Sequence, residues 1–221
     1  FEKVLKDPAP KKFIVVHLLG THMDYRYRYP DEFARFNDRK GMPSGLSDDQ
    51  AQTYNFYDNA VLYNDFVVSN LIKRYAGTDP NGFLLYLSDH GEEVFSSGKH
   101  DRLGRNENAP TRPMYTIPFM VWTSPSWQLA HPRDLQSMTS RPYSSQHLIH
   151  TLSDLAGLSY DRFEPGKSVA SPNYVQSPRW IGDPYAKNGL HEFDKLPAEN
   201  AVGEQKIAHD AKTPAKKPAE G

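Results

Sequence analysis

The chain has 221 residues, 38% of them hydrophobic, a formal charge of −1 at neutral pH and no cysteine. That length and apolar content suffice for one sizeable core, and the even mix of acids and bases excludes the basic stripe of a nucleic-acid binder. Without cysteine there are no disulfides and no thiolate metal sites, and no apolar run reaches the roughly 18 to 20 residues of a membrane-crossing helix. The polypeptide itself reads as soluble, with no signal peptide at its start.

Phe1-Glu2-Lys3-Val4-Leu5 looks like the tail of a helix running into Asp7-Pro8-Ala9-Pro10, and with no initiator methionine the chain reads as a fragment. Phe13–Gly20, rich in β-branched residues, predicts a buried strand that runs into Thr21-His22. His17 lies inside that run and is assigned to a hydrogen-bonded place in or just behind the core. His22, at the strand end, is the better candidate for a ligand or a phosphate contact. Tyr25-Arg26-Tyr27-Arg28-Tyr29-Pro30 reads either as an exposed, stacked loop or as a phosphate-reading or lipid-facing rim.

Residues 31–48 are polar and broken by Gly41, Pro43 and Gly45, which predicts loop with at most a short helix around Glu32–Phe36. Ser47-Asp48-Asp49-Gln50 then supplies a cap and first-turn acids for a helix from about Asp49 to Tyr75. Tyr57, Val61, Val68, Leu71 and Ile72 recur at helical spacing along it, and Gly77-Thr78-Asp79-Pro80 ends it.

Phe83-Leu84-Leu85-Tyr86-Leu87 predicts a strand buried on both faces, as in a parallel sheet. It stops on Ser88-Asp89-His90-Gly91, and ligands of such sheets bind beyond the carboxyl ends of the strands. A carboxylate and an imidazole side by side suit zinc or manganese; the competing reading is that Asp89 caps a turn and His90 packs beneath it. A strand, a long helix and a strand form a right-handed crossover, which would bring His22, Asp89 and His90 to one edge of the sheet. The loop Gly91–Arg102 carries a third imidazole, His100, within reach, whereas Glu92 and Glu93 are assigned to solvent or to an arginine partner. Ile117–Trp122 predicts a further strand. Ser144–Gly157 predicts an amphipathic helix with Leu148, Leu152 and Leu155 as its core stripe and His147 and His150 at its surface or in packing. Residues 201–221, rich in Ala, Lys, Pro and Glu, predict a disordered tail.

Ser88-Asp89-His90-Gly91-Glu92 after an apolar strand, preceded by His17-Leu18-Leu19-Gly20-Thr21-His22 and followed by Ile117-Pro118-Phe119, resembles the catalytic domain of bacterial phosphoethanolamine transferases, members of the alkaline phosphatase and sulfatase superfamily. Phe1–Leu19, Tyr57-Asp58-Asn59 with Leu62-Tyr63-Asn64-Asp65, Asn108–Phe119 and Ser153–Tyr160 most resemble the branch that modifies a heptose of the lipopolysaccharide core. The likeness runs from Phe1 to about Pro197. Its implied fold is a three-layer α/β/α sandwich with a mostly parallel sheet, of which residues 1–200 would be the C-terminal part.

The resemblance implies transfer of phosphoethanolamine from phosphatidylethanolamine to the core heptose through a threonine activated by zinc. It makes Asp89 and His90 ligands of one catalytic zinc, admits a second metal, and makes His22 and His100 contacts of the phosphoryl or leaving group; His17 matches a further motif histidine. The threonine and the acidic ligand that precede this segment in the family are not found between Phe1 and Gly221, so the fragment alone is expected to be inactive. The implied setting is the periplasmic face of a bacterial inner membrane, anchored by helices upstream, with no nucleic-acid partner. Several members that modify lipid A carry disulfides here, so the absence of cysteine favours the core-heptose branch. The alternatives are transfer to lipid A or to a periplasmic glucan, a sulfatase or phosphodiesterase of the same fold, and a binding module without catalysis.

Overall fold

The computed structural model describes residues 1–78 and 80–198. The tail expected at 201–221 lies outside the described residues. The chain opens on a single turn, α1 (Glu2–Leu5). Beyond it the strand predicted at Phe13–Gly20 is not formed: no described residue ladders with it, and Phe13 and Val15 are 75% and 74% exposed. An apolar run becomes a strand only where neighbours take its N–H and C=O groups and cover its faces. The strand–helix–strand crossover is therefore absent among the described residues. His17, expected in or behind a core, is exposed with it.

Helix α2 (Asp48–Ala76) is the long element, and its ends agree with the sequence to within a residue. The Ser47 N–H donates to Gln50 Oε1 at 2.9 Å and the Gln50 N–H donates to Ser47 Oγ at 3.3 Å, so two donors that the first turn would leave unpaired are satisfied reciprocally. Asp48 and Asp49 lie at its positive end and Lys73 and Arg74 at its negative end. One face, around Ala60, Tyr57 and Tyr63, packs on Tyr25 and Phe33, from two 3-10 turns at Tyr25–Tyr27 and Asp31–Phe33, and on Tyr29 between them. The second turn stands where a short helix was predicted. Buried Asn59 fastens it, accepting the N–H groups of Arg35 and Phe36 and donating to the Phe36 carbonyl.

Past Gly82 come β1 (Phe83–Leu87), β2 (Glu93–Val94), β3 (Leu103–Gly104), α3 (Arg112–Tyr115), β4 (Phe119–Thr123) and α4 (Pro125–Ala130). Helix α5 (Leu148–Ala156), β5 (Trp180–Gly182) and β6 (Leu190–Glu192) complete the order. Strand β1 pairs with β4, β2 with β3 and β5 with β6, every pair antiparallel. The mostly parallel sheet expected from the sequence is thus not what the described residues form. Its parallel neighbour would have been Phe13–Gly20, which stands unpaired.

Alternation along β1 and β4 assigns their two faces. Phe83, Leu85 and Val121 pack against Trp127 of α4 and Leu155 of α5. On the other face Tyr86 accepts a hydrogen bond from Asn64 of α2 at 2.7 Å, and Trp122 meets Tyr75 edge-on at 5.6 Å. Helices therefore lie against both faces of this ladder. Every β1 residue is half-buried rather than enclosed.

Helix α5 follows a 3-10 turn at Ser145–His147 and stops on Gly157, whose left-handed φ of 66° suits a residue without Cβ. Of the three leucines predicted as its stripe only Leu155 is fully buried. Thr151 and Ser153 take the remaining buried places; Thr151 is satisfied there by a hydrogen bond with Tyr143, and Asp154 beside them binds Arg133 and Ser168.

Candidate metal and phosphoryl-transfer site

The ladder of β1 ends at Leu87, and Ser88 turns the chain by donating its hydroxyl to the His90 carbonyl at 2.7 Å. The turn is pressed against α3. Gly91 donates its N–H to the Met114 carbonyl at 3.0 Å, and a Cβ at this position would collide with the Pro113 and Thr116 carbonyl oxygens. Only glycine allows that approach.

Its geometry fixes the imidazole beside it. His90 Nδ1 lies 2.8 Å from the Gly91 carbonyl, which can only accept, so Nδ1 carries the proton and the Nε2 lone pair is free. Nε2 stands 3.9 Å from Asp89 Oδ2. Zinc bonds to imidazole nitrogen and carboxylate oxygen run about 2.0 to 2.2 Å, so two ligands of one ion lie at most about 4.3 Å apart. The pair lies inside that limit, though wider than the roughly 3.4 Å between two positions of a regular tetrahedron. Among the described residues no group of three ligating side chains is assembled.

His17, His22, Asp89 and His90 all line one open cleft, together with Glu92. The cleft measures about 3660 Å³, several times the roughly 300 to 1,000 Å³ of a small-molecule pocket, so most of it is uncovered surface and only its floor is a candidate site. His100 is not on that lining. Its Nδ1 donates to the Phe95 carbonyl at 2.5 Å, its own carbonyl accepts from Gln50 of α2 at 2.7 Å, and its backbone is left-handed with φ 57°. His22, Asp89 and His90 share the cleft, and His100 stands apart at the start of α2.

Two acids carry more than the sequence reading gave them. Glu93 is fully buried: its Oε1 accepts the Ser96 and Ser97 N–H groups and the Ser96 hydroxyl, and its Oε2 accepts the Thr111 hydroxyl. The signal was present in Ser96-Ser97, a pair of small donors within one turn of the acid. Burial raises the Glu92 carboxyl above its ordinary range, against the lowering pull of the Tyr25 hydroxyl, His90, His22 and Arg105. Tyr25 is itself buried and its hydroxyl has no formed hydrogen bond; burial first, and then Glu92, push it upward. Nothing local in the sequence places Tyr25 beside Glu92, because the contact joins segments far apart.

The family model for sulfatases matches residues 1–158. The chain belongs to the sulfatase family. Within this sulfatase-family set, "Phosphoethanolamine transferase EptC" of Escherichia coli O18:K1:H7 (strain RS218 / NMEC) is 56% identical over 206 residues, 93% of this chain and 36% of that protein. The crystal structure of the C-terminal periplasmic domain of EcEptC from Escherichia coli superposes with a TM-score of 0.89 at 54% identity, covering 92% of this chain and 58% of that one. The same domain in complex with Zn superposes with a TM-score of 0.88 at 54% identity, covering 92% and 57%. The chain therefore spans about a third of the length of the transferase it matches.

Proposed function

We propose that the chain is the C-terminal part, residues 1–200, of the catalytic domain of a phosphoethanolamine transferase. The enzyme moves phosphoethanolamine from phosphatidylethanolamine to a heptose of the lipopolysaccharide core, at the periplasmic face of a bacterial inner membrane. What carries this reading is the pairing of Asp89 Oδ2 with a free His90 Nε2 at 3.9 Å, in a chain 56% identical to a transferase of that name. The three-layer sandwich with a mostly parallel sheet belongs to the same proposal. It is supported by helices on both faces of the β1–β4 ladder and by the exposed apolar run at Phe13–Leu19, which offers a sheet edge to strands of the longer protein.

Asp89 and His90 would hold the catalytic zinc, whose charge would acidify a threonine hydroxyl and offset charge on the phosphoryl oxygens. In the first half of the reaction a threonine oxygen bonds to phosphorus as the bond from phosphorus to the glycerol oxygen breaks, and that oxygen leaves with a proton as diacylglycerol. In the second, a sugar hydroxyl bonds to phosphorus and the threonine oxygen leaves with a proton. His22, exposed on the cleft beside Glu92, is the group of this chain placed to give and take those protons. His17 contributes to the substrate side of the cleft, whereas His100, held at Phe95 O through Nδ1, lies off that lining and takes no part in these steps.

The test is intact mass and zinc content of the full-length protein after incubation with phosphatidylethanolamine. A phosphoethanolamine adduct on a threonine with about one zinc per chain is the expected result. Zinc without an adduct would move the assignment to a hydrolase, and neither would overturn the site.

A further inference from the structure

The tyrosine–arginine stretch at Tyr25–Tyr29 divides its side chains in the structure. Tyr25 and Tyr29 are buried on α2, Tyr27 is exposed, and Arg26 pairs with Asp31. Arg28 turns backward. Its Nε lies 2.9 Å from the His22 carbonyl and 3.1 Å from the Met23 carbonyl, and one terminal nitrogen donates to Met23 O at 2.6 Å. A single guanidinium thus bridges the two consecutive carbonyls of the turn that presents His22.

That turn does not hold itself. Gly20 enters it at φ 54° and Asp24 leaves it left-handed at φ 62°, ψ 46°. The left-handed region is one that residues with a Cβ enter less readily than glycine. The backbone bond that spans the turn, from the His22 N–H to Leu19 O, is 3.2 Å long. Arg28 springs from a firmer base: its N–H donates to Tyr25 O at 3.0 Å, and its neighbour Tyr29 and Tyr25 itself are packed against Ala60 of α2.

We propose that Arg28 is a positioning residue for His22, its planar fork holding the two carbonyls so that the imidazole keeps one place over the cleft. The inference rests on the reading of His22 as a group that meets the phosphoryl or leaving oxygen. A lysine, a point charge without a fork, cannot bridge both carbonyls in the same way.

The experiment measures kcat and KM for release of diacylglycerol from phosphatidylethanolamine vesicles by the full-length protein. The variants are Arg28→Ala, Arg28→Lys, His22→Ala and the double variant His22→Ala with Arg28→Ala, each with its melting temperature. Arg28→Ala is expected to lower kcat about 10- to 100-fold with KM nearly unchanged, since a misplacement of about 1 Å is worth about that much. Arg28→Lys is expected to recover little. Adding Arg28→Ala to His22→Ala is expected to cost nothing further, because the two changes remove one function. A full additional loss in the double variant, or full recovery with lysine, would overturn the role of Arg28 while leaving His22 in place. Unchanged kcat in His22→Ala would overturn the reading of His22 and the proposal with it. If Arg28→Ala fails to fold, Arg28→Lys alone and in the His22→Ala background decides the same question.

Discussion

Glu93 gathers four donors onto one buried carboxylate, and its substitutions separate sterics from hydrogen bonding. Glu93→Ala strands the buried Ser97 N–H and the Thr111 hydroxyl, at about 1 to 3 kcal/mol each. Glu93→Gln is expected to cost about 1 kcal/mol or less, because its carbonyl can serve the three donors on one side and the Thr111 hydroxyl can turn to accept from the amide. Urea unfolding of the two variants checks the order. For the metal pair, Asp89→Ala and His90→Ala are each expected to lose bound zinc and to abolish transfer in the full-length protein. Zinc retained at wild-type stoichiometry in either would remove that residue from the ligand set. Asp58 offers a pH test: burial pushes its carboxyl up from 3.8 to about 6. A raised carboxylate pKa means that the folded state prefers the proton, so stability present below about pH 4 is lost as pH rises to 6. Asp58→Asn is therefore expected to raise the melting temperature at pH 7 to 8 and to leave it unchanged near pH 4.

At the scale of elements, what could be read from sequence was what local chemistry decides. Helix α2 was legible at both ends because Ser47, Gln50 and the first-turn acids act within one turn of each other. Ser47→Ala is expected to cost about 1 kcal/mol, measurable by thermal unfolding. The stop of α5 at Gly157 was legible for the same reason. Phe13–Gly20 forms no ladder among the described residues because its composition reports burial propensity, whereas a ladder depends on a partner remote in the chain. The Asp89-His90 pair was visible because consecutive residues need no fold to be neighbours. Arg28 on the carbonyls of His22 and Met23, and Glu92 beside Tyr25, depend on how turns are packed on α2, which no spacing reveals.

At the scale of the whole molecule, part of the exposed apolar surface borders the open cleft. Phe13, Val15 and Leu19 are 75%, 74% and 62% exposed beside a cleft far larger than a substrate, and among the described residues β1 and β4 form a two-stranded ladder with open edges. Unpaired edges beside exposed apolar residues invite pairing between copies. The 221-residue chain expressed by itself is expected to associate with rising concentration, and a Phe13→Asp, Val15→Asp variant to associate less, as read by light scattering. Equal scattering from both would place the sticky surface elsewhere.

The alternation of β1 has one more consequence, for the lengths of chain this fold tolerates. Phe83 and Leu85 belong to the α5 side and Tyr86 to the α2 side, and the strand runs without a bulge into the Ser88 turn. One residue inserted or deleted between Gly82 and Ser88 would exchange the two sets, turning Leu85 toward the amide of Asn64 and Tyr86 toward Leu155. The same slip would carry Gly91 off the Pro113 and Thr116 carbonyls and put a side chain there instead. Length changes are therefore forbidden in these few residues.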